Sequence, residues 1–263
     1  MRDIQLLGTL TPLSPAEELQ ASEERAKFKG QTTRSARWEK LPRVGGEGML
    51  EKFRWYKQSS YKWQGAGKTI YIDPWDIPEG DAEADAIFIT HAHFDHFSRK
   101  DIEKVQRSST VIVAPRDVAR ELSGRVIPIA PGDKGEAAGI TYEAVPAYNV
   151  VEGRLDYHPK ANNWVGYLLE LDGYTYYHAG DTDHLPELEK LSCHVAFVPI
   201  GGTYCMDVSE ASGLVKVIKP QIAVPMHYGF VEGVGKAEDG RRFKEEASPV
   251  EVELLEPYHP FTS

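Results

Sequence analysis

Three imidazoles and a carboxylate crowd into six residues at His91-Ala-His93-Phe-Asp95-His96. Imidazole nitrogen is a borderline donor and carboxylate oxygen a hard one, a mixture that suits zinc, manganese or iron. In an extended segment, residues two apart point the same way, so His91 and His93 can grip one ion while Asp95 and His96 turn towards a second. A lone histidine after a strand is usually a satisfied polar group. A cluster is different, because each donor or acceptor buried without a partner costs about 1–3 kcal/mol.

The run Ala86-Ile-Phe-Ile-Thr90 reads as a buried strand that delivers the chain straight into this cluster. Alternation and β-branched content predict further strands near 52–57, 69–73, 111–114, 126–129 and 140–147. Between them, Ser98 with Asp101 caps a helix at about 99–107, Pro115 opens another, and Asp207 with Glu210 forms a capping box for a helix at 208–219. Trp164–Leu171 and Tyr174–His178 flank Asp172-Gly173, the dipeptide of a tight type I′ hairpin. Residues 1–50 read differently and form an N-terminal arm, with 51–263 as the catalytic domain. In the arm, Ser14-Pro15-Ala16-Glu17 starts a polar helix that Gly30 ends, to be packed on the body or on a neighbouring copy in a homo-oligomer.

Thr-His-Ala-His-Phe-Asp-His resembles the HxHxDH signature of the metallo-β-lactamase superfamily. Tyr71-Ile-Asp73-Pro74, His178-Ala-Gly180-Asp181-Thr182 and Val224-Pro-Met-His227-Tyr follow in the family's order and spacing over about 52–230. The resemblance implies an α/β fold, the αββα sandwich, with one or two divalent metal ions at one edge of its sheets, zinc first and manganese second. It further implies that Asp181 bridges two metals, that His227 joins Asp95 and His96, and that Asp73 and His178 support the site from behind. YHAGDT and PMHYG are similar to the branch of ascorbate-6-phosphate lactonase-like enzymes and N-acylphosphatidylethanolamine phospholipase D.

One position departs from the family pattern. Where relatives carry another first-site histidine after Pro-Ala-Xaa, this chain has Val145-Pro146-Ala147-Tyr148-Asn149. Either the Asn149 amide takes the place, or His158 folds back to fill it; imidazole being the commoner ligand favours His158. The expected chemistry is hydrolysis of a small anionic ester, lactone or phosphodiester by metal-activated water, with Asp95 both ligand and proton carrier. Loops 148–164 and 228–243 should meet substrate, and Tyr148, Arg154 and Lys160 are the candidates to hold an anion.

Composition narrows the alternatives. A formal charge of −10 over 263 residues opposes broad contact with nucleic acid, which weighs against an RNA-processing nuclease. Di-iron oxygen reduction on this fold typically has Glu where His93 stands, and a catalytically silent metal-binding protein is conceivable only through Asn149. The chain lacks a membrane-length apolar run and its first residues lack a secretory pattern, which reads as cytoplasmic. Cys193 and Cys205 stand outside any CxxC pair and read as half-buried thiols. Gly65-Ala-Gly67-Lys68-Thr69 mimics a phosphate loop but leads into a strand, so a hairpin turn fits better. No GxSxG elbow occurs.

Overall fold

The computed structural model describes residues 48–262, so the expected arm, apart from its last three residues, lies outside the described residues. Two sheets face each other. The first has six strands in the order β1 (Phe53–Lys57), β2 (Ser60–Gly65), β3 (Lys68–Ile72), β4 (Ala86–Phe88), β5 (Val111–Pro115) and β6 (Arg125–Ile129). β1 to β3 run antiparallel, and β3 to β6 parallel. The second has seven strands: β7 (Lys134–Ala137), β8 (Ile140–Pro146), β9 (Val165–Leu171), β10 (Tyr174–His178), β11 (Val195–Pro199), β12 (Ile222–Met226) and β13 (Glu251–Val252).

The central parallel strands β4 and β5 of the first sheet are buried on both faces, and successive side chains divide between two cores. Ile70, Ala86, Phe88, Val111 and Val113 point between the sheets. Tyr71, Ile87, Ile112 and Ala114 point the other way, onto helices α1 (Arg99–Val105) and α2 (Arg116–Ala119), whose Ile102, Val105 and Val118 cover them. The outer side of the second sheet receives α3 (Val208–Ile218), which buries Ala211, Leu214, Val215 and Ile218 at helical spacing and packs on β11 and on α4 (Asp239–Glu246). The layers are therefore helix, sheet, sheet, helix, the expected αββα sandwich. No helix among the described residues is long and apolar enough to cross a membrane.

Local signals hold where side chains act on their own backbone. Ser98 caps α1 through Asp101 N, and Asp207 with Glu210 forms the full capping box of α3. Asp172 and Gly173 both take positive φ in the β9–β10 hairpin, and Gly65-Ala66-Gly67 turns β2 into β3. The strand expected at 86–90 is shorter: β4 ends at Phe88, because Thr90 turns its N–H onto the Asp73 carboxylate at 2.7 Å.

Candidate metal centre

The carboxyl ends of β3, β4, β10 and β12 lie along one edge of the sandwich, and each releases a polar residue: Asp73, His91, Asp181 and His227 respectively. Asp73 and His227 leave their strands with φ of 46° and 58°, which bends the chain sharply at the sheet edge. Gly180, with φ 61°, lets the chain before Asp181 pass close behind Thr90; a Cβ there would sit 3.0 Å from the Thr90 Cβ and the Val165 carbonyl.

Two half-sites form. In the first, His91 Nε2 lies 3.0 Å from His93 Nδ1 and 3.3 Å from His158 Nε2. In the second, His227 Nε2 lies 3.3 Å from an Asp95 oxygen, and His96 Nε2 lies 3.7 Å from it. Asp181 stands between them: one oxygen is 3.5 Å from His96 Nε2, and the other is 3.1 Å from His227 Nε2 and 3.6 Å from His158 Nε2. Donor atoms of His91, His93 and His158 lie mutually within 4.8 Å, as do those of Asp95, His96 and His227.

Neighbours select which nitrogen of each ring faces inward. Asn149 uses Nδ2 on Asp183 and on the Tyr204 carbonyl, so its oxygen is left to accept from His158, both from the backbone N–H at 3.0 Å and from Nδ1 at 2.9 Å. Every partner of His158 Nδ1 is an acceptor, which places the proton there and the Nε2 lone pair in the cluster. Asp73 likewise accepts from His96 Nδ1 at 2.7 Å, and Thr90 gives its hydroxyl proton to Asp73 while its oxygen faces His91 Nδ1 at 2.9 Å. His178 is spent on structure: Nε2 donates to the Ser59 carbonyl and Nδ1 accepts from Gly180 N.

Electrostatics separate the halves. Burial holds His91 and His93 below the usual imidazole range and pushes His158 down to about 3, so these rings are neutral. Burial acts the same way on His96, but Asp181, Asp95 and Asp73 outweigh it and raise this ring to about 10. His227 is raised by Asp181 against its burial, and Asp95 is drawn down to about 2 by His96 and His227 despite its own burial. His96 Nε2 and Asp181 Oδ1 are buried with no hydrogen-bond partner and face each other. Two orphaned atoms inside a ring of imidazole and carboxylate donors fit divalent cations.

Of the two alternatives for the position that departs from the family pattern, His158 brings Nε2 to the cluster, while Asn149, 4% exposed, has its amide oxygen on His158 Nδ1. Other expected residues take other parts. Arg154 departs from the expected substrate role: it is bidentate to Glu210 at 2.9 and 2.6 Å, lies 3.2 Å from Asp183 and donates to the Cys205 carbonyl, so it braces its loop. Tyr148 gives its hydroxyl proton to Glu187 at 2.6 Å and accepts from Lys160, whose side chain alone of these three stays open to solvent. Cys193 and Cys205 are fully rather than half buried. Cys205 was invisible as a site neighbour from sequence, yet its sulfur lies 3.8 Å from His227 Nδ1. Gln58, in the β1–β2 turn, accepts from His227 N through its carbonyl and brings its side-chain amide to 3.4 Å from His227 Nε2, with no sequence signal to announce it.

Two facing mixed sheets with such a cluster on one edge define the metallo-β-lactamase fold. The Beta-lactamase superfamily domain matches residues 52–227. Over 213 residues the chain is 33% identical to a UPF0173 metal-dependent hydrolase of Thermococcus kodakarensis, covering 72% of this chain and 90% of that one. A solved structure from Parabacteroides distasonis superposes with TM-score 0.70 at 32% identity, over 78% of this chain and 92% of that one. A metallo hydrolase of Ignicoccus hospitalis superposes with TM-score 0.65 at 24% identity, over 78% and 94%, a likeness of fold. The chain belongs to the UPF0173 metal-dependent hydrolases of the metallo-β-lactamase superfamily.

Proposed function

We propose that the protein hydrolyses a small anionic ester, lactone or phosphodiester, with His91, His93 and His158 holding one cation, Asp95, His96 and His227 a second, and Asp181 shared by both. The observation that carries this reading is the reach of the Asp181 carboxylate to His158, His96 and His227 at 3.6, 3.5 and 3.1 Å. An imidazole-rich set suits zinc, and the two carboxylates, Asp95 and Asp181, also admit manganese. When bound, such ions lower the pKa of coordinated water towards neutrality and polarise the oxygen under attack.

The chain's own residues do the rest. Asp73, Thr90 and Asn149 keep Nε2 of His96, His91 and His158 turned inward. Trp164, its Nε1 donated to Asp117 at 2.7 Å, sets its ring 5.1 Å from those of His91 and His93 and screens that flank from water. Asp95, drawn down to about 2, is ionised at neutral pH, and its carboxylate can take up a proton and return it to the leaving group. Support for an anionic substrate comes from a cavity of about 290 Å³ lined by Arg116, Asn162 and Asn163 at the carboxyl end of β5 and β6, on the same sheet edge.

The test is turnover of an aryl phosphodiester, a succinate half-ester and a lactone by protein stripped with chelator and then reloaded. Activity lost on stripping and restored by zinc or manganese is the expected result. Reloaded protein with full metal content and no turnover on any of the three would sink the reading.

A further inference from the structure

Seven large apolar side chains are exposed among the described residues, and five of them, Phe94, Val150, Val151, Leu155 and Tyr157, lie in just two segments. Those segments are the ones that carry His93 and His158. Phe94 is 67% exposed and sits between His93 and Asp95, its ring edge-on to Trp75 at 5.7 Å. Tyr157 precedes His158 and packs edge-on against Tyr204 at 4.6 Å. The His93 and His158 rings are 4.7 Å apart, so the two segments flank the same point.

The outward display is enforced from within. The loop from Asn149 to His158 is closed at its ends by Asn149 N to His158 O at 2.9 Å and by His158 N to Asn149 Oδ1 at 3.0 Å. Its interior is tied to Asp183 through Val150 N and Val151 N, and to Glu210 through Arg154. With Asn149, Arg154 and the Val150 and Val151 amides held inward, Val150, Val151, Leu155 and Tyr157 are left on the surface together with Glu152 and Asp156, and apolar surface beside a centre usually has an occupant.

We propose that this apolar collar receives a hydrocarbon chain on the acyl side of the substrate, so that within the ester class of the hydrolase reading above, on which the proposal rests, a medium-length acyl chain is favoured over a short one. In the reaction the oxygen of water bonds to the acyl carbon, the acyl carbon–oxygen bond breaks, and one proton of water leaves with the alcohol. Position argues for substrate over other occupants. Of the seven donor residues, His93 alone is half-exposed and the other six are buried, so the centre opens to solvent beside Phe94. A second copy seated there would close that opening, and a formal charge of −10 opposes docking on an anionic lipid surface.

The test uses p-nitrophenyl esters from acetate to decanoate, together with calorimetric binding of the corresponding free carboxylates, on full-length metal-loaded protein. KM and carboxylate Kd should each fall about 2-fold per added methylene, as partial burial of hydrocarbon implies. Phe94→Ser and Leu155→Ser should flatten both trends, while Val217→Ser, an exposed apolar position on α3, should leave them intact. Ester turnover with no dependence on chain length in KM or Kd would overturn the collar and leave the hydrolase reading standing. Length-dependent carboxylate binding without ester turnover would uphold the collar and count against the hydrolase reading. A dimer in solution that Leu155→Ser dissociates would assign the patch to a second copy and overturn the proposal.

Discussion

The two halves of the centre are built from similar residues and behave in opposite ways. His91, His93 and His158 are neutral rings held low by burial, three donors with no carboxylate of their own. Asp95, His96 and His227 form a knot of opposite charges, in which the carboxylates raise the imidazoles and the imidazoles lower the carboxylates. Asp181 is what the halves have in common. If each half holds a cation as proposed, one half offers free lone pairs and the other must first give up protons.

Removing the shared carboxylate should erase the contrast. Asp181→Ala is expected to lower kcat/KM by on the order of 1000-fold and to empty both halves, read by metal analysis together with steady-state rates. Retention of one full equivalent of metal would show that the halves are independent. His158→Ala should sharpen the comparison, weakening the first half by about 100-fold while leaving the second filled; Asn149→Ala, which only frees the ring to turn, should cost about 10-fold. A larger loss from Asn149→Ala than from His158→Ala would reverse the ligand assignment. Asp73→Asn is the counterpart on the other side, and should weaken the second half by about 10-fold through His96, with a smaller effect on the first through Thr90 and His91.

The smallest signal is the most direct on charge. With His96 raised to about 10 and His227 also raised, both rings are protonated at neutral pH before a cation binds. Cation binding to the second half should therefore release about two protons, measurable as the dependence of calorimetric heat on buffer ionisation, and its affinity should climb as pH rises towards 10. Filling of the first half should release none, since its rings are already neutral. Equal proton release from the two halves would remove the distinction.

Much of this was legible in sequence where the cause is local. The histidine cluster, the Ser98 and Asp207 caps and the Asp172-Gly173 turn each act within a few residues, and each stands where spacing put it. Spacing left Asn149 and His158 as rivals, because the answer depends on loop closure: their mutual hydrogen bonds swing the histidine in and turn the amide into its support. Arg154 looked like an anion contact by charge alone, and only the arrival of Glu210 from α3 reveals its partner. β11 and β12 carry continuous apolar runs without alternation, since both of their faces are buried, which is why periodicity says little about them. Gln58 and Cys205 reach His227 across distances in sequence that no motif spans.

The loop from Asn149 to His158 carries one more consequence. Because its two ends are fastened to each other, the imidazole keeps its place whatever hangs from the exposed stretch between. Glu152, Leu155, Asp156 and Tyr157 are exposed and can be exchanged as a cassette, whereas Arg154 and Asp183 are the fixtures that hold it. A scaffold of this kind lets selectivity diverge by surface replacement alone, with the catalytic core left untouched.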